Sequence, residues 1–512
     1  MILASLDWVV LALYFVAIIG VGVWFGRGER STDDYFLGGR RQPWVIVGLS
    51  ILATELSALT FVSVPGRAYQ TDCDYLQLYV GAFLGRMLIV WLLLPAFYRG
   101  NVTTVYEYLG QRFGPWTRST ASLLFFASRI IGSGLRLLVA SMAISVVFHW
   151  PLYWVIFGAA AVAIAYTAFG GIKAIIWTDA LQALVFVGAA GAVLVFLAVA
   201  TPGTLAANLN TAADAGKFHV FHWDLNPNND KAFWVLVIHT LLLNAAVFGT
   251  DQDLTQRMLT CSSLRNGQRS LVFNALVGFP VVVLFLLVGV GMFVYYRAFP
   301  DGTPPADLSR DRVFPFFIAH SLPSGWGLKG LLVAGVFAAA MSSLDSALGA
   351  LSSSAVTDFY RPYIAPGRSG AHYVRIGRMC VILFGILLAF IAVAFAGQRD
   401  LLQQAFDWAS LIFGSMLGVF LLAVLTKSRG RDRVNPILML TGVAALAALK
   451  WRQDWTGEVI IAWPWWIVLG TFWTFGVGVL FRSPTEPGGR ETGGRETGIS
   501  APDQHRRDAA TM

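Results

Sequence analysis

Along the chain, runs of about 20 apolar residues alternate with short polar stretches from one end to the other. Trp8–Phe25 and Val272–Tyr295, for example, carry no charged side chain. About 20 consecutive apolar residues is the length that takes an α-helix across a bilayer. The strands of a transmembrane barrel would be shorter and would alternate in polarity. The pattern therefore predicts an all-α polytopic membrane protein with about thirteen transmembrane helices, near residues 7–26, 43–66, 75–98, 118–148, 150–169, 173–200, 232–256, 270–296, 326–358, 376–396, 402–426, 435–450 and 462–481. Residues 1–8 lack the basic start and small-residue cleavage site of a signal peptide, so the first run is expected to be retained as a helix.

The formal charge of +8 would suit nucleic acid or acidic lipid if the cations were clustered. Placed on the predicted helices, they are not. With the N-terminus outside, 24 of the 37 lysines and arginines fall on the cytoplasmic side and 10 on the outer side. Topology accounts for the charge through the positive-inside rule, which predicts N-out and C-in. The partners expected are the lipid bilayer and a small organic solute, with no nucleic acid and no obligate protein partner. Cys73, Cys261 and Cys380 lie far apart without metal-ligand spacing. Two outer stretches, 201–231 and 300–325, are polar, and the GGRETGGRETG tail from Arg482 onward is of low complexity, so it is expected to be disordered.

Two helices carry polar groups at membrane depth. SILATELSALTFVSVPG (Ser50–Gly66) holds Glu55 among Thr54, Ser57, Thr60 and Ser63. A carboxylate there is costly unless it faces protein, water or an ion. Close helix packing explains the small residues but not Glu55; a broken helix with free carbonyls explains both. Later, Ala339, Ser342, Ser343 and Ser346 recur at i, i+3, i+4 and i+7 with Asp345 beside them. Such a stripe suits a small hard cation, or it simply bonds to its own helix backbone. Asp179 either points into the bundle or pairs with Lys173. Arg129 and Arg136 share one helical face and either neutralise a buried acid or form a socket for an anionic solute. Nothing resembles a nucleophile with its base, a phosphate loop or a metal-spaced histidine set, so enzymatic chemistry is not expected. A solute sensor would need an output domain, for which the residues after Phe481 are too few.

Five ordered stretches carry a resemblance: RSTDDYFLGGRRQPWVIVGLSILATELSALTF, NVTTVYEYLGQRFG, YTAFGGIKAIIWTDALQ, GTDQDLTQRMLTCSSLR and AAAMSSLDSALGALSSSAVTDFY. Together they are similar to the sodium:solute symporter family, over about residues 5 to 430. The resemblance implies a LeuT-type core of two inverted five-helix repeats. These would lie at 43–200 and 232–426, after an extra helix and loop at 1–42. Residues 201–231 would form an outer loop, 427–481 two extra helices and 482–512 a cytoplasmic tail. It implies sodium-coupled import of a small organic solute across the plasma membrane, with Na+ as coupling ion and no enzyme activity.

The family's common sodium site maps to the carbonyls of Ala53 and Leu56 and to Ala339, Ser342 and Ser343. A second cation site, as in the family's sialic acid carriers, would use Asp179, Ser342, Asp345 and Ser346. At Asp345 those carriers have Ser, so a proton could take part there. The likeness leans to the sialic acid, monocarboxylate and vitamin branch, which places Ser57, Thr60, Tyr75 or Gln77, Arg129 and Phe248 around the solute. Glu55 would tune sodium affinity. The alternatives are a proton-coupled symporter of the same fold and a non-transporting solute sensor.

Overall fold

The computed structural model describes residues 3–26, 31–398 and 400–483, without the side chain of Phe169. The predicted cytoplasmic tail, apart from its first two residues, and Arg27 and Arg30 lie outside the described residues. Among the described residues nineteen α-helices follow one another: α1 (Ser5–Phe25), α2 (Thr32–Leu37), α3 (Trp44–Glu55), α4 (Ala58–Gln70), α5 (Leu78–Trp91), α6 (Leu93–Gly100), α7 (Val105–Arg112), α8 (Pro115–Phe148), α9 (Leu152–Ala200), α10 (Leu205–Asp214), α11 (Phe233–Thr250), α12 (Gln252–Leu259), α13 (Leu264–Ala298), α14 (Arg310–His320), α15 (Leu328–Ser354), α16 (Gly370–Ala394), α17 (Leu401–Leu425), α18 (Val434–Thr456) and α19 (Pro464–Leu480). Among the described residues the only β pairing is two isolated bridges.

Among the described residues ten helices are long and apolar enough to cross a membrane, and eleven if α3 and α4, bent by 58° at their junction, are taken as one broken span. Leu152–Ala168, the first limb of α9, and α19 are apolar but shorter. The two limbs of α9 meet at Gly171, whose φ is +49°.

Several predicted helices differ in detail. The 43–66 helix breaks after Glu55, and its second half runs past Pro65 to Gln70 instead of ending there. Pro65 is tolerated inside α4 because it is buried against α13, where a missing backbone bond is shielded from lipid. The 232–256 helix breaks at Asp251. Within the outer stretches, predicted as loops, the chain forms α10 and α14.

Two kinds of seam join the helices. On α5 a Cβ at Gly85 would collide with the Leu241 carbonyl oxygen of α11, and on α13 one at Gly289 would collide with that of Pro65 on α4. Backbones touch there because the side chain is absent. The loop after α10 is tied down differently. The buried Lys217 donates to the carbonyls of Tyr69 (2.7 Å) and Thr71 (2.6 Å). It thereby closes the carbonyl end of α4, where a cation also meets the negative end of the helix dipole. Burial lowers the Lys217 pKa.

Candidate functional site

The junction of α3 and α4 contains no glycine. Leu56 (φ −81°, ψ 65°) and Ser57 (ψ −178°) leave helical geometry, so the last carbonyls of α3 and the first amides of α4 lose their helical partners. α15 supplies a replacement for the Ala53 carbonyl and further hydroxyls beside it. Ser342 donates to the Ala53 carbonyl (3.1 Å), Ser343 donates to the Ala339 carbonyl (3.1 Å), and the Thr54 and Ser346 hydroxyls are 3.1 Å apart. Four of the five groups expected to hold sodium, Ala53, Ala339, Ser342 and Ser343, thus form one linked set. The fifth, Leu56, is the residue at the break itself. The donor set is entirely neutral oxygen, at the negative end of α3, which suits a monovalent hard cation.

The second candidate set is built differently. Asp179 turns into the bundle, accepting from Ser50 Oγ (2.7 Å) and from Arg257 (2.9 Å), rather than pairing with Lys173. Asp345 accepts from Tyr166 Oη (2.8 Å) and from the Ser346 amide (2.6 Å). Between them, the Arg257 guanidinium also donates to Ser346 Oγ, to Ser50 Oγ (2.9 Å) and to Asp253 (2.5 Å). Arg257, predicted to lie in a cytoplasmic loop, is fully buried here. It belongs to α12, whose first residues follow a second break. At that break Asp251 is extended (φ −90°, ψ 121°) and caps α12 by accepting from the Asp253 amide (3.0 Å).

A cavity of about 210 Å3 lies beside the first break, lined by Glu55, Ser57, Thr60, Tyr75, Arg86, Arg129, Arg136 and Phe248 among others. It shares Tyr75, Leu78 and Phe406 with a wider vestibule of about 550 Å3. That vestibule runs toward the face carrying the 201–231 and 300–327 loops. Ser57 and Thr60 sit at the amide end of α4, which favours a negative group. Glu55 forms an ion pair with Arg86 and accepts from Asn274 (3.1 Å). Arg86 in turn stands 4.7 Å over the Phe248 ring. Arg129 is held by Asp251 and by Asp253 (3.0 Å). Arg136 has no such partner: among the described residues its Nη1 is buried without a hydrogen bond. Gln77 lies apart from the cavity, donating to the Lys231 carbonyl (3.1 Å).

Sequence reasoning missed Arg86, Asp251 and Asp253. Arg86 had a readable signal, an arginine in the apolar run LYVGAFLGRMLIVW, which at membrane depth demands an acid. Asp251 and Asp253 stood in a motif already singled out, GTDQDLTQRMLT, but nothing local marks them as facing inward.

An all-helical membrane protein of LeuT-type fold, with an interrupted helix opposed to a hydroxyl stripe beside a central cavity, is a secondary transporter. The chain belongs to the sodium:solute symporter family, which residues 35–431 match. It is 30% identical over 453 residues to the sodium/sialic acid symporter SiaT of Proteus mirabilis, covering 86% of this chain and 89% of that one. It is 27% identical over 426 residues to the human sodium-coupled monocarboxylate transporter 2, covering 82% and 68%. A solved substrate-bound, outward-open Na+-coupled sialic acid symporter superposes with a TM-score of 0.83 at 28% identity, covering 93% of this chain and 97% of that one. The protein is therefore a sodium-coupled transporter and not an enzyme.

Proposed function

We propose that this chain imports a small carboxylate-bearing solute across the plasma membrane together with sodium, by alternating access. The relatives named above carry sialic acid or monocarboxylates, and the two solute types share a carboxylate. In this reading the fold has thirteen spans, with inverted repeats at 43–200 and 232–426, the N-terminus outside and the C-terminus in the cytoplasm. Sodium is held by Ala53, Leu56, Ala339, Ser342 and Ser343. The solute meets Ser57, Thr60, Tyr75, Phe248 and Arg136, while Glu55, neutralised by Arg86, tunes the break without touching the ion.

The observation that carries this reading is the Ser342 bond to the Ala53 carbonyl at one end of the helix break, whose other end brings Ser57 and Thr60 to the cavity. One break serves both ligands: its carbonyl end faces the ion and its amide end faces the solute. An ion joining α15 to α3 fixes the angle between α3 and α4, and with it the shape of the cavity. Binding of either ligand then favours the arrangement that the other prefers.

Uptake into proteoliposomes tests it. A sodium gradient should drive accumulation of a carboxylate solute without a pH gradient, and Ser343→Ala should remove the sodium dependence while the protein still inserts and folds. Uptake driven by a pH gradient alone, or unchanged sodium dependence in Ser343→Ala, would overturn the assignment.

A further inference from the structure

We propose that the solute is an apolar, ring-bearing monocarboxylate whose carboxylate rests on Arg136, and not a polyhydroxylated sugar acid. The inference rests on the symporter reading above and narrows its substrate.

The charges in the cavity come first. Glu55 and Arg86 neutralise each other, and Arg129 lies between Asp251 and Asp253. Arg136 alone among these cations forms no close ion pair among the described residues, and its Nη1 is buried without a hydrogen bond. An unpaired guanidinium at membrane depth is costly, and an arriving carboxylate relieves that cost with a planar, two-pronged fit. One free cation calls for one anionic group.

The neutral polar groups come next, and several already have a hydrogen committed to the protein. Thr240 donates its hydroxyl to the Leu236 carbonyl (2.7 Å) and Ser128 to that of Phe125 (2.9 Å). Asn244 donates to the Thr240 carbonyl (3.0 Å) and accepts from Arg86 (3.3 Å). Ser57, Thr60, the tips of Tyr75 and Tyr79 and the Trp408 N–H are what remain. A sugar acid brings several hydroxyls, and each one buried without a partner costs about 1–3 kcal/mol. Against this, six rings line the cavity: Tyr75, Tyr79, Phe248, Phe406, Trp408 and Phe413. Rings favour edge and offset contacts with another ring, and they offer a hydroxyl little. A site of this composition selects by apolar contact at one end and by a single charge at the other.

Purified full-length protein, in saturating sodium and in sodium-free buffer, is the system for the test, with phenylacetate, N-acetylneuraminate and neutral 2-phenylethanol as probes in a thermal-shift titration. Phenylacetate should bind in a sodium-dependent way, more than about tenfold tighter than either N-acetylneuraminate or 2-phenylethanol. Arg136→Gln should erase the preference for phenylacetate over 2-phenylethanol while keeping the shift produced by sodium alone, which shows that the site is folded; Arg136→Lys should restore part of the preference. Sodium-dependent binding of N-acetylneuraminate in preference to phenylacetate would overturn this inference and leave the symporter reading standing. An absence of sodium-dependent binding by either acid would overturn this inference, and the proteoliposome uptake above decides the symporter reading separately. Equal losses for phenylacetate and 2-phenylethanol in Arg136→Gln would remove Arg136 as the carboxylate's partner.

Discussion

Two predicted helices are interrupted inside the fold, and the breaks are held by opposite chemistries. At the first, hydroxyls and carbonyls tie the carbonyl end of α3 to α15, with Ser342 reaching Ala53 and Ser346 reaching Thr54. Between α11 and α12 the tie is made of full charges, with Arg129 on Asp251 and Asp253, and Arg257 on Asp253 and Asp179. Neutral hydrogen bonds are worth about 1 kcal/mol each and can be exchanged for ion contacts at little cost. Buried charge pairs cannot be, because separating them leaves an uncompensated ion. The first break is thus where a ligand can enter and leave, and the second is a fixed strut. Ser346 touches both, sharing a hydrogen bond with Thr54 and accepting one from Arg257.

Breaking the strut should have the largest effect. Arg257→Met strands Asp179 and Asp253 and should cost about 3–5 kcal/mol, seen as a large fall in melting temperature with or without sodium. Adding Asp179→Asn to that variant should recover part of the loss; a melting curve for Arg257→Met that matches the wild type would show that the strut carries no load. Arg129→Gln should also lose stability, by a similar but smaller amount since Arg257 still faces Asp253. Its surviving fraction should bind charged and neutral ligands with equally reduced affinity, and a loss confined to carboxylates would return Arg129 to the solute.

At the neutral break the expected pattern reverses. Ser343→Ala should change the sodium-free melting behaviour by less than about 1 kcal/mol, yet abolish stabilisation by sodium and sodium-driven uptake. Lys217→Met should have the smallest effect, a loss of about 1 kcal/mol from unclosed α4 carbonyls. Slightly faster proteolysis of the 201–231 loop, measured beside the wild type, would accompany it.

Much of the fold and half of this contrast were legible in the sequence. Charge-free runs locate the spans, and Ser342, Ser343 and Ala339 share a face by helical periodicity alone, while placing that face opposite Ala53 needed the resemblance to the symporter family. The strut could not be. Arg257 lies near a predicted helix end, where counting positive charges by side assigns it to the cytoplasmic surface, and only tertiary packing turns it inward. The same limit applies to the cavity. Arg129 and Arg136 look equivalent along their helix, seven residues apart, and what separates them is Asp251, more than a hundred residues away.

The seams at Gly85 and Gly289 also determine which distances in the molecule can change. With backbone against backbone, α5 cannot slide on α11, nor α13 on α4, without a collision. Arg86 on α5 donates to Asn274 on α13 (3.0 Å), which ties the two pairs together. These four helices form one rigid arm, whereas α3 faces α15 across hydroxyls that can let go. Spin labels on α5 and α11 should therefore report one fixed separation throughout the cycle, and labels on α3 and α15 should report two.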